Sequence, residues 1–87
     1  MTFKNKKILI IIGGGIAAYK SLDLIRLLKK NQCEIKTILT KSGKEFVTPL
    51  SLSSLSGNKT YLDLFDSDRE AEMDHISLSR WADLILV

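Results

Sequence analysis

Eighty-seven residues allow at most one domain, and a chain of this size buries only about 60–65 % of the surface its unfolded form exposes. Hydrophobic residues at 45 % and charged residues at 26 % are an ordinary balance for a globular chain in water; the net charge of +3 and the lysines Lys4, Lys6, Lys7, Lys29, Lys30, Lys41 and Lys44, without interleaved aromatics, read as solvated surface and exclude a nucleic-acid strip. The single cysteine, Cys33, excludes an internal disulfide, no Cys/His cluster offers a zinc or other metal site, and five apolar residues after the basic start are too few for a signal peptide or a membrane span, so the expected location is cytoplasmic.

Lys7 to Ile12 is a β-branched, aliphatic run too short for a helix and reads as a first strand buried on both faces. From Ile16 to Lys30, Ala18, Leu22, Ile25 and Leu28 recur at three- and four-residue steps, with Leu24 and Leu27 widening the stripe. That pattern predicts an amphipathic helix, and Lys29 and Lys30 suit its negative end. Glu34 to Thr40, "EIKTILT", alternates and then turns apolar, giving a second strand. Strand, helix and strand in this order make a right-handed crossover with parallel strands.

Farther on, "KSGKEFVTPLSLSSLSG" predicts a short helix near Lys44 to Val47, a break at Thr48–Pro49, and a further helical turn or two closed by Gly57. "NKTYLDLFDSDREAEMD" reads as a polar loop with an apolar island of Tyr61, Leu62, Leu64 and Phe65. His75 to Asp83 leads into Leu84–Val87, which reads as a third, buried parallel strand. In that reading Asp83 is an ordinary turn residue and Asp74 a solvated charge. Because the last run ends without a turn, residues 1–87 are expected to be the front part of a larger α/β domain, cut after about three strands.

Gly13, Gly15 and Ala18 fit the spacing G-x-G-x-x-A of a strand-to-helix turn that brings backbone close to a phosphate. The first glycine permits the tight turn, the second removes a side chain from the approach, and the small third residue lets helix and strand pack closely. A dinucleotide site would place an acid at the end of the second strand, to accept from the ribose. Here Thr40 and Lys41 stand there instead, and Glu34 lies at the opposite end. A hydroxyl and an ammonium favour an anion, so the corner suits a mononucleotide phosphate. A tight turn with no ligand, and a plain loop charge at Lys41, are the alternative readings.

Three stretches, "GGIAAYK", "TKSGKEFVTPLSLSSLSGN" and "DHISLSRWADLILV", resemble the flavin-dependent cysteine decarboxylase family, and within it the branch that serves coenzyme A biosynthesis by decarboxylating phosphopantothenoylcysteine. The resemblance runs from Lys7 to the end and implies a Rossmann-like three-layer fold of flavoprotein type, with residues 1–87 forming the N-terminal part of one FMN-binding domain. FMN phosphate would sit at Gly13, Gly14, Gly15, Ile16 and Thr40, and Phe46 in "EFVTPL" would line the flavin site. His75, heading "HISLSRWAD", matches the family's active-site histidine. The implied substrate is 4'-phospho-N-pantothenoyl-L-cysteine and the product 4'-phosphopantetheine: the thiol is oxidised, the carboxylate leaves as carbon dioxide, and the electrons return. The implied assembly is a homo-oligomer built on trimers.

A side chain with an unperturbed pKa of about 6.5 is a natural proton shuttle for such a step. For His75 taken alone, a plain surface or core residue is the alternative reading. Two departures stand out. Gly13 replaces the serine or threonine common in the family, removing one phosphate donor worth about 1 kcal/mol. The family's "APATAN" segment, its later asparagine motif and its substrate-clamping flap do not occur in these residues, so the chain alone is expected to bind FMN poorly and not to decarboxylate. The alternatives are a related FMN protein, acting as a peptidyl-cysteine decarboxylase or a flavin prenyltransferase, and a non-catalytic remnant that binds only a nucleotide or a partner.

Overall fold

The computed structural model describes residues 4–15, 17–63 and 76–87. Its elements are β1 (Lys7–Ile12), α1 (Ala17–Lys30), β2 (Glu34–Thr40), a 3-10 turn (Gly43–Glu45), α2 (Pro49–Ser56), β3 (Thr60–Asp63) and β4 (Leu84–Leu86). Residues 76–81 are helical as well. The strands form one parallel sheet in the order β3-β2-β1-β4.

The period-two alternation of strand side chains splits the aliphatic runs between two faces. Ile8, Ile10, Ile12, Ile35 and Leu39 pack with Ala18, Ile25 and Leu28 of α1 and Leu52 of α2. On the other face Leu9 and Ile38 meet Leu78 of the 76–81 helix. Trp81 in that helix takes the Lys36 ammonium over its ring at 4.5 Å, a cation–π contact that adds to the cover of this face. The result is the expected three-layer α/β arrangement, with β1 and β2 spanning the residues read from the sequence.

α2 is delimited by local chemistry. Thr48, in extended conformation, accepts the Ser51 amide at 3.0 Å, Pro49 occupies the first turn, and Gly57 closes the helix in the left-handed region at φ 76°. Ser53 and the Pro49 carbonyl tie it to the sheet through Thr60. Thr37 and Thr60, both buried, meet at 3.3 Å with Thr37 donating, and Thr60 donates to the Pro49 carbonyl at 3.2 Å. With the Thr60 proton so committed, Ser53 donates in its 2.9 Å contact with Thr60. Asn58 adds a 2.6 Å bond from its side-chain amide to the Ile35 carbonyl.

The structure corrects the sequence reading in two places. Among the described residues there are four strands rather than about three, because part of the expected polar loop is β3, paired parallel to β2 from Thr37↔Thr60 to Thr40↔Asp63. Hydropathy misses this strand because its buried anchor, Thr60, is held by hydroxyls and not by apolar contact. The short helix expected near Lys44 to Val47 is the 3-10 turn Gly43–Glu45. The final run is β4, paired parallel to β1 from Ile8↔Leu84 to Ile10↔Leu86. Leu64, Phe65 and Asp74 lie outside the described residues.

Candidate functional site

β1 ends at Ile12, and the chain turns through Gly13, Gly14 and Gly15 at the carboxyl end of the sheet, where open parallel sheets host ligands. Gly13 and Gly14 are exposed, and Gly15 sits at φ 116°, a conformation that side chains rarely adopt. Its carbonyl accepts the Ala18 amide at 3.0 Å as α1 begins. Ala18 is buried, which lets the helix start close against the strand. The first turn of α1 contains no acidic side chain, so the positive end of the 14-residue helix faces the corner without a carboxylate to offset it. A cleft of about 310 Å³ opens here, lined by Ile11, Ile12, Gly13, Gly14, Ala18, Ser21 and Val87.

The other wall of the corner is the turn that follows β2. The register Ile12↔Leu39 brings Thr40 beside the glycines. The Thr40 hydroxyl donates to the Ile12 carbonyl at 3.2 Å and accepts the Gly43 amide at 3.1 Å. Its one proton is thereby engaged, so in this arrangement Thr40 braces the corner, and it stands outside the cleft lining. Phe46 also stands outside that lining. It is half-buried against the helical side of the core and meets Tyr19 edge-on, with ring centroids 5.9 Å apart and an interplanar angle of 80°. Lys41 is exposed in the same turn.

Ile16 and His75 lie outside the described residues. Asp83 is more than a turn residue, since its carboxylate accepts the Lys7 amide at 2.9 Å. Sequence reasoning overlooked Ser42 and Gly43. A Cβ on Gly43 would lie 2.5 Å from the Ile12 carbonyl oxygen, so the two turns pack backbone against backbone. The signal was a glycine immediately after the second strand. Among the described residues, no group of three or more His, Cys, Asp or Glu could hold a metal ion, and no helix is long and apolar enough to cross a membrane.

The chain is similar to the "Coenzyme A biosynthesis bifunctional protein CoaBC" of Vibrio vulnificus strain YJ016, with 50 % identity over 86 residues, covering 99 % of this chain and 21 % of that protein. The protein of the same name from Haemophilus influenzae is 47 % identical over 87 residues, covering 100 % of this chain and 22 % of its own length. The chain thus spans about a fifth of the length of these curated relatives. Among solved structures, MrsD from Bacillus sp. HIL-Y85/54728 matches with a TM-score of 0.75 at 25 % identity, over 95 % of this chain and 47 % of that one. The model of the family described as Flavoprotein matches residues 2–87. Its members are flavin proteins, and with a parallel sheet, a glycine corner at its carboxyl end and a match over nearly its whole length, this chain belongs to the Flavoprotein family.

Proposed function

We propose that the chain is the N-terminal part of an FMN-binding domain that decarboxylates 4'-phospho-N-pantothenoyl-L-cysteine to 4'-phosphopantetheine in coenzyme A biosynthesis. The observation that carries this reading is the similarity, over nearly the whole of this chain, to coenzyme A biosynthesis proteins, joined to a corner chemically suited to a monophosphate. That corner fits the group: exposed glycine backbone, a helix amino end with no nearby acid, and an adjoining cleft with apolar walls at Ile11, Ile12 and Val87.

In this reading the amides of Gly13, Gly14, Gly15 and Ile16 bind the phosphate, and Thr40 borders it while bracing the turn. Phe46, which stands outside the cleft lining, is assigned to the flavin site by the family resemblance alone. When bound, FMN supplies a reversible two-electron acceptor. His75 takes and returns the proton that accompanies thiol oxidation, a role that rests on the family resemblance, as do the trimer-based homo-oligomer and the cytoplasmic location.

The test is a titration of the isotopically labelled full-length protein with riboflavin 5'-phosphate. Shifts of the Gly13, Gly14 and Gly15 amide resonances that riboflavin without phosphate does not reproduce support the site. Unchanged glycine resonances at saturating ligand overturn it. Carbon dioxide release by the full-length protein, abolished by His75→Asn, tests the chemistry separately. Binding without turnover there would favour a nucleotide-binding accessory role.

A further inference from the structure

The phosphate-corner spacing accounts for Gly13 and Gly15 but leaves Gly14 in a position open to any residue. The structure supplies a separate reason for the third glycine. A Cβ on Gly14 would lie 2.8 Å from the Cβ of Ser42, closer than two such atoms can approach. On Gly13 the nearest atom would be Thr40 Oγ1 at 4.0 Å, and on Gly15 nothing lies within 4 Å. Of the three glycines, Gly14 is the one denied a side chain by a neighbour within the protein.

The turn containing Ser42 has little freedom to retreat. Thr40 holds it at one end through the Ile12 carbonyl and the Gly43 amide, and the Ser42 carbonyl accepts the Glu45 amide at 3.2 Å. On its inner side Gly43 already lies against the carbonyls of Ile12 and Gly13. We infer that Ser42 is a positioning residue of the glycine corner: its Cβ occupies the place of a Gly14 side chain and sets how the 13–15 backbone presents its amides. The packing stands on geometry alone, whereas its effect on a ligand rests on the phosphate role proposed above.

The experiment is a double-mutant cycle of Gly14→Ala and Ser42→Gly, with affinities measured on the full-length protein. Ser42 has helical backbone angles, φ −67° and ψ −39°, that glycine adopts without strain. Gly14→Ala is expected to lower the thermal midpoint by roughly 5–10 °C, and adding Ser42→Gly to recover most of that loss. For affinity, the ratio of riboflavin 5'-phosphate to riboflavin binding should fall about tenfold in Gly14→Ala and return in the double variant. A general loss of stability would lower both affinities and leave the ratio unmoved.

If Gly14→Ala fails to fold, a folded double variant supports the inference and an unfolded one overturns it. An undiminished midpoint in Gly14→Ala, or a double variant no better than the single, also overturns it. A midpoint that recovers while the full-length wild-type protein binds neither flavin refutes the phosphate role and supports the packing. A midpoint that recovers while the ratio does not refutes the positioning role.

Discussion

The amide of Lys7 donates to the Asp83 carboxylate at 2.9 Å, and the amide of Asp83 donates to the Lys7 carbonyl at 2.7 Å, so two residues 76 positions apart clasp each other at the amino end of the sheet. The residues that follow pair as Ile8↔Leu84, Leu9↔Ile85 and Ile10↔Leu86, which places the clasp at the start of the β1–β4 register.

Asp83→Ala should cost about 1 kcal/mol or less, since an exposed hydrogen bond to a charged acceptor is lost while the backbone bond remains. Asp83→Asn keeps an acceptor and should cost less. Urea denaturation of the two variants beside the wild type checks the order.

Gly15→Ala should destabilise the chain by about 1–3 kcal/mol, because φ 116° is strained for any side chain even though the space is open. Its effect is expected to resist rescue by Ser42→Gly, in contrast to Gly14→Ala. Equilibrium unfolding of both double variants distinguishes strain in the backbone from crowding between turns.

Gly13→Ser is expected to fold normally, within about 0.5 kcal/mol of the wild type, since the nearest atom to its new Cβ is Thr40 Oγ1 at 4.0 Å. If the corner holds a phosphate, the added hydroxyl should tighten riboflavin 5'-phosphate binding by about fivefold, equivalent to about 1 kcal/mol. Fluorescence titration of the two proteins measures the change, and weaker binding by the serine variant would count against the phosphate site.

Thr60→Val should cost about 1–3 kcal/mol, because it strands the Pro49 carbonyl and the hydroxyls of Ser53 and Thr37 in a buried region. Thr37→Val removes one donor from the end of the same chain of hydroxyls and should cost less. Thermal unfolding of the two variants, compared with the pair combined, shows whether the hydroxyls act as one network.

Much of the architecture was legible in local pattern. Lys7–Ile12 and Glu34–Thr40 are strands whose apolar runs suit a central position in a parallel sheet, and both have the bounds their residues suggest. Thr48, Pro49 and Gly57 likewise announce where α2 begins and ends. β3 was not legible, because Thr60 is buried through hydrogen bonds to residues on two other elements. The reading of Asp83 as a turn residue was incomplete for a related reason: the partner of its carboxylate, the Lys7 amide, stands at the far end of the chain.

By itself the sequence determined the layered α/β plan and the position of a side-chain-free corner at the end of the first strand, since hydrophobic period and glycine spacing act over a few residues. Only the tertiary structure decided which of the three glycines is held bare by a neighbour and which hydroxyls are engaged. Those outcomes depend on atoms brought together from distant parts of the chain, where close packing permits one arrangement and local propensity is silent.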